Sequence, residues 1–121
     1  MTTKEVADKL VHLCSEGKFE EAMKAFYSPD IVSMEAGAPP GQSREAKGIA
    51  AVQAKGEWWV SNHEVHSLKV EGPLVAGSHF SVVFKMDVTF KPEKRRFGME
   101  EVAVYKVENG KIVYEEFFYN M

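Results

Sequence analysis

Apolar and polar side chains alternate almost without interruption through FSVVFKMDVTFK. Phe80, Val82, Phe84, Met86, Val88 and Phe90 fall on one face, opposite Ser81, Lys85, Asp87, Thr89 and Lys91. A period of two belongs to a strand, and a slip of one residue would turn every aromatic toward water. The segment is therefore a half-buried antiparallel strand committed to a core on one side. Lys91-Pro92-Glu93-Lys94 turns the chain into a second strand over about 96–107. Asn109-Gly110 then gives a hairpin, because both residues tolerate the positive φ angles of a type I′ turn. A last strand is expected over 112–119.

The N-terminal half has a different period. Thr2-Thr3-Lys4-Glu5 has capping-box spacing, and Val6, Leu10 and Leu13 follow at helical intervals up to Gly17. A shorter helix carries Phe19, Ala22, Met23 and Phe26 on one face and stops at Ser28-Pro29-Asp30. A brief apolar strand over 31–34 leads to Glu35 and a loop of composition AGAPPG. Gly48 introduces a third helix, with Ile49, Val52, Gly56 and Trp59 in one stripe and Trp58 beside it. His66, Leu68 and Val70 then alternate with polar neighbours, and Glu71-Gly72-Pro73 marks a turn. Three helices before an antiparallel meander make an α+β domain, a single one over 1–121. A strongly curved sheet with helices over its concave side would enclose an apolar pocket suited to a small molecule.

Bulk properties exclude several functions. The formal net charge is −3 with no long basic stripe, which argues against nucleic acid or an anionic membrane as the partner. No apolar run approaches the roughly 18–20 residues of a membrane span. The lone Cys14 has no internal disulfide partner and fits a reducing cytoplasm, the expected location. His63 and His66, three apart on a strand, point to opposite faces and cannot chelate one ion; no metal-ligand spacing is present and no cofactor is expected.

The segments FYSPDIVSMEAG, GIAAVQAKGEWW and EVAVYKVENGKIVYEEFFY, in this order, resemble the NTF2-like superfamily, especially its SnoaL-like branch. The resemblance spans nearly the whole chain and implies the cone-shaped, cystatin-like arrangement of helices on a curved sheet, commonly dimeric. Ketosteroid isomerase is a distant comparison within that superfamily. Aligned through FYSPD, its catalytic base falls on Glu35. Aligned back from Asn109-Gly110, its protonated oxyanion-hole acid falls near Glu100, or on Glu101 after a shift of one. Its oxyanion-hole tyrosine falls on about Leu10.

Glu35 is accordingly the first candidate for a general base, and partial burial would raise its pKa toward neutrality. Its plain alternative is a solvated acid at a strand end. Glu100 and Glu101 are adjacent on a strand, so one of them faces inward, and residue parity does not decide which. Either could instead pair with a lysine such as Lys85 or Lys111. His66 shares the face of Leu68 and Val70 and is a candidate proton shuttle, with a satisfied core histidine as the plainer outcome. Trp58, Trp59, Phe84, Met86, Phe117 and Tyr119 are core residues first and candidate pocket lining second. Two functions follow as expectations. One is general acid–base catalysis, of isomerase, cyclase or dehydratase type, on a small apolar carbonyl compound. The other is a non-catalytic module that binds such a ligand or dimerises through its sheet.

Overall fold

A computed structural model describes residues 1–120. Helix α1 (Thr3–Ser15) begins as its capping box requires: the Glu5 N–H donates to the Thr2 hydroxyl and the Glu5 carboxylate accepts from the Thr2 N–H. Replacing Thr2 with alanine is expected to lower unfolding stability by about 1 kcal/mol, read from urea denaturation. Helix α2 (Phe19–Phe26) runs directly into β1 (Tyr27–Met34). A short β2 (Glu45–Lys47) precedes α3 (Ile49–Asn62), and four strands complete the chain: β3 (His63–Ala76), β4 (His79–Phe90), β5 (Arg95–Glu108) and β6 (Lys111–Phe118).

All six strands form one sheet in the order β2-β1-β6-β5-β4-β3. The order has two free ends, so the sheet is curled but not closed into a barrel. Helix α3 touches β1 and β2 at one edge and β3 at the other, which the curl makes possible. Helix α1 covers β3, β4 and β5 on the same side. The α+β class expected from the sequence is therefore present, with one difference: the sheet is mixed. Strand β1 pairs parallel to β6, while every other pair is antiparallel. No hairpin announces this pair, because its members lie at opposite ends of the chain.

Strand β4 behaves as its alternation demands. Phe80, Val82, Phe84 and Val88 are buried beneath the helices, and the Phe80 ring stacks on Tyr105 with centroids 4.7 Å apart. Val6, Leu10 and Cys14 of α1 meet this face. Three boundaries differ from expectation. The chain is already extended at Tyr27, and Pro29 is tolerated because the β1–β6 ladder skips between Tyr27 and Val32. Residues 45–47, which showed no strand pattern, pair with β1 as a short edge. Gly72-Pro73 does not turn the chain: β3 continues to Ala76, and the ladder skips from Glu71 to Leu74. Gly72 has φ +123°, and a Cβ there would lie 3.0 Å from the Ser81 carbonyl oxygen, so this bulge requires glycine. The type I′ signal is met, with Asn109 at φ 51° and Gly110 at φ 74°.

Candidate functional site

On β1 the inward positions are Ile31 and Ser33, both fully buried, and the same parity carries Glu35 inward at the strand end. The Glu35 backbone is fixed on both sides of its peptide. Its N–H donates to the Arg44 carbonyl at 2.9 Å, and the Arg44 Nε–H donates back to the Glu35 carbonyl at 3.0 Å. The carboxylate is equally constrained. Lys55 Nζ lies 2.8 Å from Oε1, and the Tyr119 hydroxyl donates to Oε2 at 2.9 Å. Glu35 and Lys55 side chains retain 26% and 31% exposure, so this ion pair sits at a mouth rather than in the core or free in water.

Lys55 comes from α3, one turn after the buried Val52, which places it over the sheet. Its ammonium also donates to Ser33 Oγ at 2.5 Å and stands 5.3 Å from the centre of the Phe117 ring. Ser33 in turn donates to Glu115 Oε2 at 2.7 Å, and the Tyr27 hydroxyl donates to the other oxygen of Glu115. A continuous chain of polar contacts thus runs from the core at Tyr27 to the mouth at Tyr119. Among the described residues, no buried polar side-chain atom lacks a partner.

Burial sets the protonation of this chain. Glu115 is 2% exposed, and desolvation raises its pKa, opposed by the bonds from Ser33 and Tyr27 and by the charge of Lys55. Glu101 reaches about 7, chiefly through desolvation, then through repulsion from Glu35 and Glu115. Near neutral pH it is therefore divided between neutral and charged forms. Burial and the neighbouring Glu35 carboxylate also raise the Tyr119 phenol, which stays protonated.

The candidates separate clearly. Glu35, Glu101, Phe117 and Tyr119 converge here. Glu100 lies on the outer face and is exposed, opposite Lys85 in the β4–β5 ladder. Burial of Ala103, Tyr105 and Val107 settles the parity that sequence left open, since Glu101 shares their face. His66 also stands outside, because the ladder skips between Val65 and Ser67. That bulge turns the imidazole outward to Thr89 Oγ1 at 2.7 Å, beside the Asp87–Arg96 ion pair. Phe84 is core, against Phe19, and Met86 packs beside it. Trp59 stacks on His63 with centroids 4.2 Å apart, and the largely exposed Trp58 neighbours Phe90. These rings form their own cluster at the start of β3.

Three members escaped the sequence. Lys55 was legible in principle, as a cation one helical turn from Val52. Ser33 shares parity with Ile31 and Glu35. Glu115 was hidden by a β-bulge: the ladder pairs Val107 with Ile112 but Lys106 with Tyr114, so residues 115, 117 and 119 face inward although Ile112 also does. An open groove of about 560 Å³ lies at this end of the sheet, lined by Ala36, Arg44, Glu101, Phe117 and Tyr119 together with Glu100, Val102, Glu116 and Phe118. It is neither the enclosed nor the apolar pocket expected beneath helix α3, and Glu35 and Lys55 adjoin it without lining it. Among the described residues, no group of side chains is arranged to hold a metal ion, and no helix is long and apolar enough to cross a membrane.

Residues 1–119 match the SnoaL-like domain. The chain belongs to the SnoaL-like family. A Mesorhizobium loti crystal structure is 41% identical over 98% of this chain and all of its own, with a TM-score of 0.93. That protein is provisionally named a SnoaL-like polyketide cyclase, with carbohydrate phosphatase as a second name. More distant structures share the fold of this SnoaL-like domain. An NTF2-like protein of Burkholderia thailandensis is 20% identical with a TM-score of 0.81, covering 99% of this chain and 92% of its own. A Bacillus subtilis protein, provisionally named an isomerase, is 17% identical with a TM-score of 0.77, covering 99% and 90%. Among curated proteins no match is found.

Proposed function

We propose that this SnoaL-like domain binds a small, largely apolar carbonyl compound in the groove and moves a proton at the carbon next to its carbonyl. The observation that carries the reading is the Glu35 carboxylate, held by Lys55 and by Tyr119 and close to Glu101, the latter two of which line the groove. Glu35 accepts the proton as the C–H bond breaks, and the electron pair moves onto the carbonyl oxygen as an enolate. An ammonium has three donors, and Lys55 uses one on Glu35 and one on Ser33. Its third donor, with the neutral form of Glu101, is available to the developing oxyanion. Return of the proton to another carbon would be an isomerisation. Attack of the enolate carbon on a second carbonyl would be a cyclisation, in keeping with the names of the Bacillus subtilis and Mesorhizobium loti proteins. Phe117 supplies apolar surface for the ligand body.

The test is solvent exchange at the α-carbon of cyclic and aryl β-dicarbonyl compounds in D2O, followed by proton NMR. Acceleration above buffer alone is expected, and its absence across such a panel would refute the reading.

The outer sheet face supports a second proposal, a homodimer. Val102 and Phe118 are cross-strand partners there and are 39% and 48% exposed. Charges directly opposite this pair in a second copy would oppose association, so Phe118→Glu is expected to shift the species seen by sedimentation toward the monomer.

A further inference from the structure

We infer that Glu115 is a positioning residue, which fixes the Lys55 ammonium through the hydroxyl of Ser33. The proposal deepens the proton-transfer reading and rests on it for its catalytic consequence. An ammonium can only donate, so in its contact with Ser33 the hydroxyl oxygen accepts. The single Ser33 proton is then left for Glu115, which takes it at 2.7 Å. Tyr27 occupies the remaining Glu115 oxygen, so neither hydroxyl can reverse without leaving a buried acceptor unmet. The direction of the whole chain is set from the core outward.

Glu115 has little reason to be there for stability alone. Its place in the ladder, between Ser33 of β1 and Tyr105 of β5, is one a leucine could fill. A buried carboxyl is usually no more stabilising than an apolar side chain of its size. The groups around it are Tyr27 and Ser33 from β1, Tyr105 and Glu101 from β5, Cys14 from α1, Lys55 from α3, and Glu35 beyond β1. Lys55 is the only cation among them. Without an acceptor at 115 the Ser33 proton is free to turn toward Lys55. The ammonium, on a flexible four-carbon stem, would then swing to Glu35 alone or into the groove.

The experiment follows the lysine Nζ resonances of protein carrying 15N-lysine, with Lys55→Met identifying the signal. In the unsubstituted protein the Lys55 ammonium is expected to exchange with water about tenfold more slowly than in a protein whose Lys55 keeps only its contact with Glu35, the effect of the one hydrogen bond to Ser33. Ser33→Ala and Glu115→Leu each leave the Glu35 contact in place and are each expected to speed the exchange by about that factor. Glu115→Gln, whose amide oxygen still accepts from Ser33, is expected to preserve the slow exchange. An exchange rate unchanged in Ser33→Ala and Glu115→Leu would overturn the inference. So would faster exchange in Glu115→Gln, because charge rather than bond direction would then hold Lys55. If Glu115→Leu does not fold, Glu115→Met takes its place, because it too removes the acceptor for the Ser33 proton. No turnover is needed, so a protected Lys55 in a protein that fails to accelerate dicarbonyl exchange would refute the proposed function and leave the positioning role standing.

Discussion

Replacing Glu35 with glutamine is expected to lower α-proton exchange of a β-dicarbonyl probe by about 100-fold or more, the usual contribution of a positioned general base. Glutamine preserves the shape of the side chain, its one oxygen can still accept from Lys55, and its NH2 can donate to the Tyr119 hydroxyl in place of the bond now accepted, so loss of rate would report loss of basicity. The thermal midpoint controls for folding. Because the ion pair is a quarter to a third exposed, removing its negative partner is expected to change stability by less than about 1 kcal/mol. The two readouts therefore diverge if Glu35 is the base. An unchanged exchange rate would remove it from that role whatever the stability showed. Tyr119 makes a graded comparison. Its phenol orients Glu35 without accepting the proton, so Tyr119→Phe is expected to cost about tenfold, the value of one hydrogen bond.

The sequence displayed the site's near half more openly than its far half, and the division has a physical cause. Glu35 was visible because it ends a strand whose inner face is marked by Ile31, and Tyr119 because it closes an aromatic run. Both lie where periodicity is simple. Parity failed where the strands are irregular. One extra residue near Val113 puts Glu115 on the face that Ile112 occupies, and one near His66 takes that histidine off the face of Leu68. A bulge reverses the facing of every residue beyond it, yet leaves no required residue type at these two positions. At Gly72 the close backbone approach does demand glycine, but a glycine before proline is equally the mark of a turn, so the residue types there do not distinguish the two.

The fold was legible for a related reason. Its longest signals, the β4 alternation and the capping box of α1, are local and unbroken. The parallel β1–β6 pair is neither, and it is this pair that brings Ser33 beside Glu115 and sets the depth of the polar chain. Leu10 illustrates the same point from the side of family resemblance. The position that resembles the isomerase tyrosine is 1% exposed and belongs to the core of α1. The phenol that reaches Glu35 comes instead from Tyr119, at the opposite end of the chain. In this chain the hydroxyl donor to Glu35 is supplied just past the end of β6 and not by α1.

Glu101→Gln is expected to stabilise the protein at pH 8 and leave it nearly unchanged at pH 5. The folded-state pKa of Glu101 is about 7 against an ordinary 4.5, so between these values the folded chain holds a proton that the unfolded chain has released. Stability therefore falls as pH rises through that window and stays low above it. At about 1.4 kcal/mol per pKa unit, discounted for the groove's water, the loss is about 2 kcal/mol. Glutamine is neutral throughout, so the variant should regain about that amount at pH 8. The raised Glu115 contributes in the same direction. Asp87, Glu71 and Glu5, held low by Arg96, by Lys85 and Lys69, and by Thr2, act oppositely and only in more acidic solution. Urea denaturation of both proteins from pH 5 to pH 8 reads the difference directly. Parallel curves would mean that Glu101 titrates as an ordinary carboxyl and is charged when a ligand arrives. Converging curves would instead show a carboxyl that can donate a hydrogen bond near neutral pH, which is what an enolate oxygen at Lys55 would require of its neighbour.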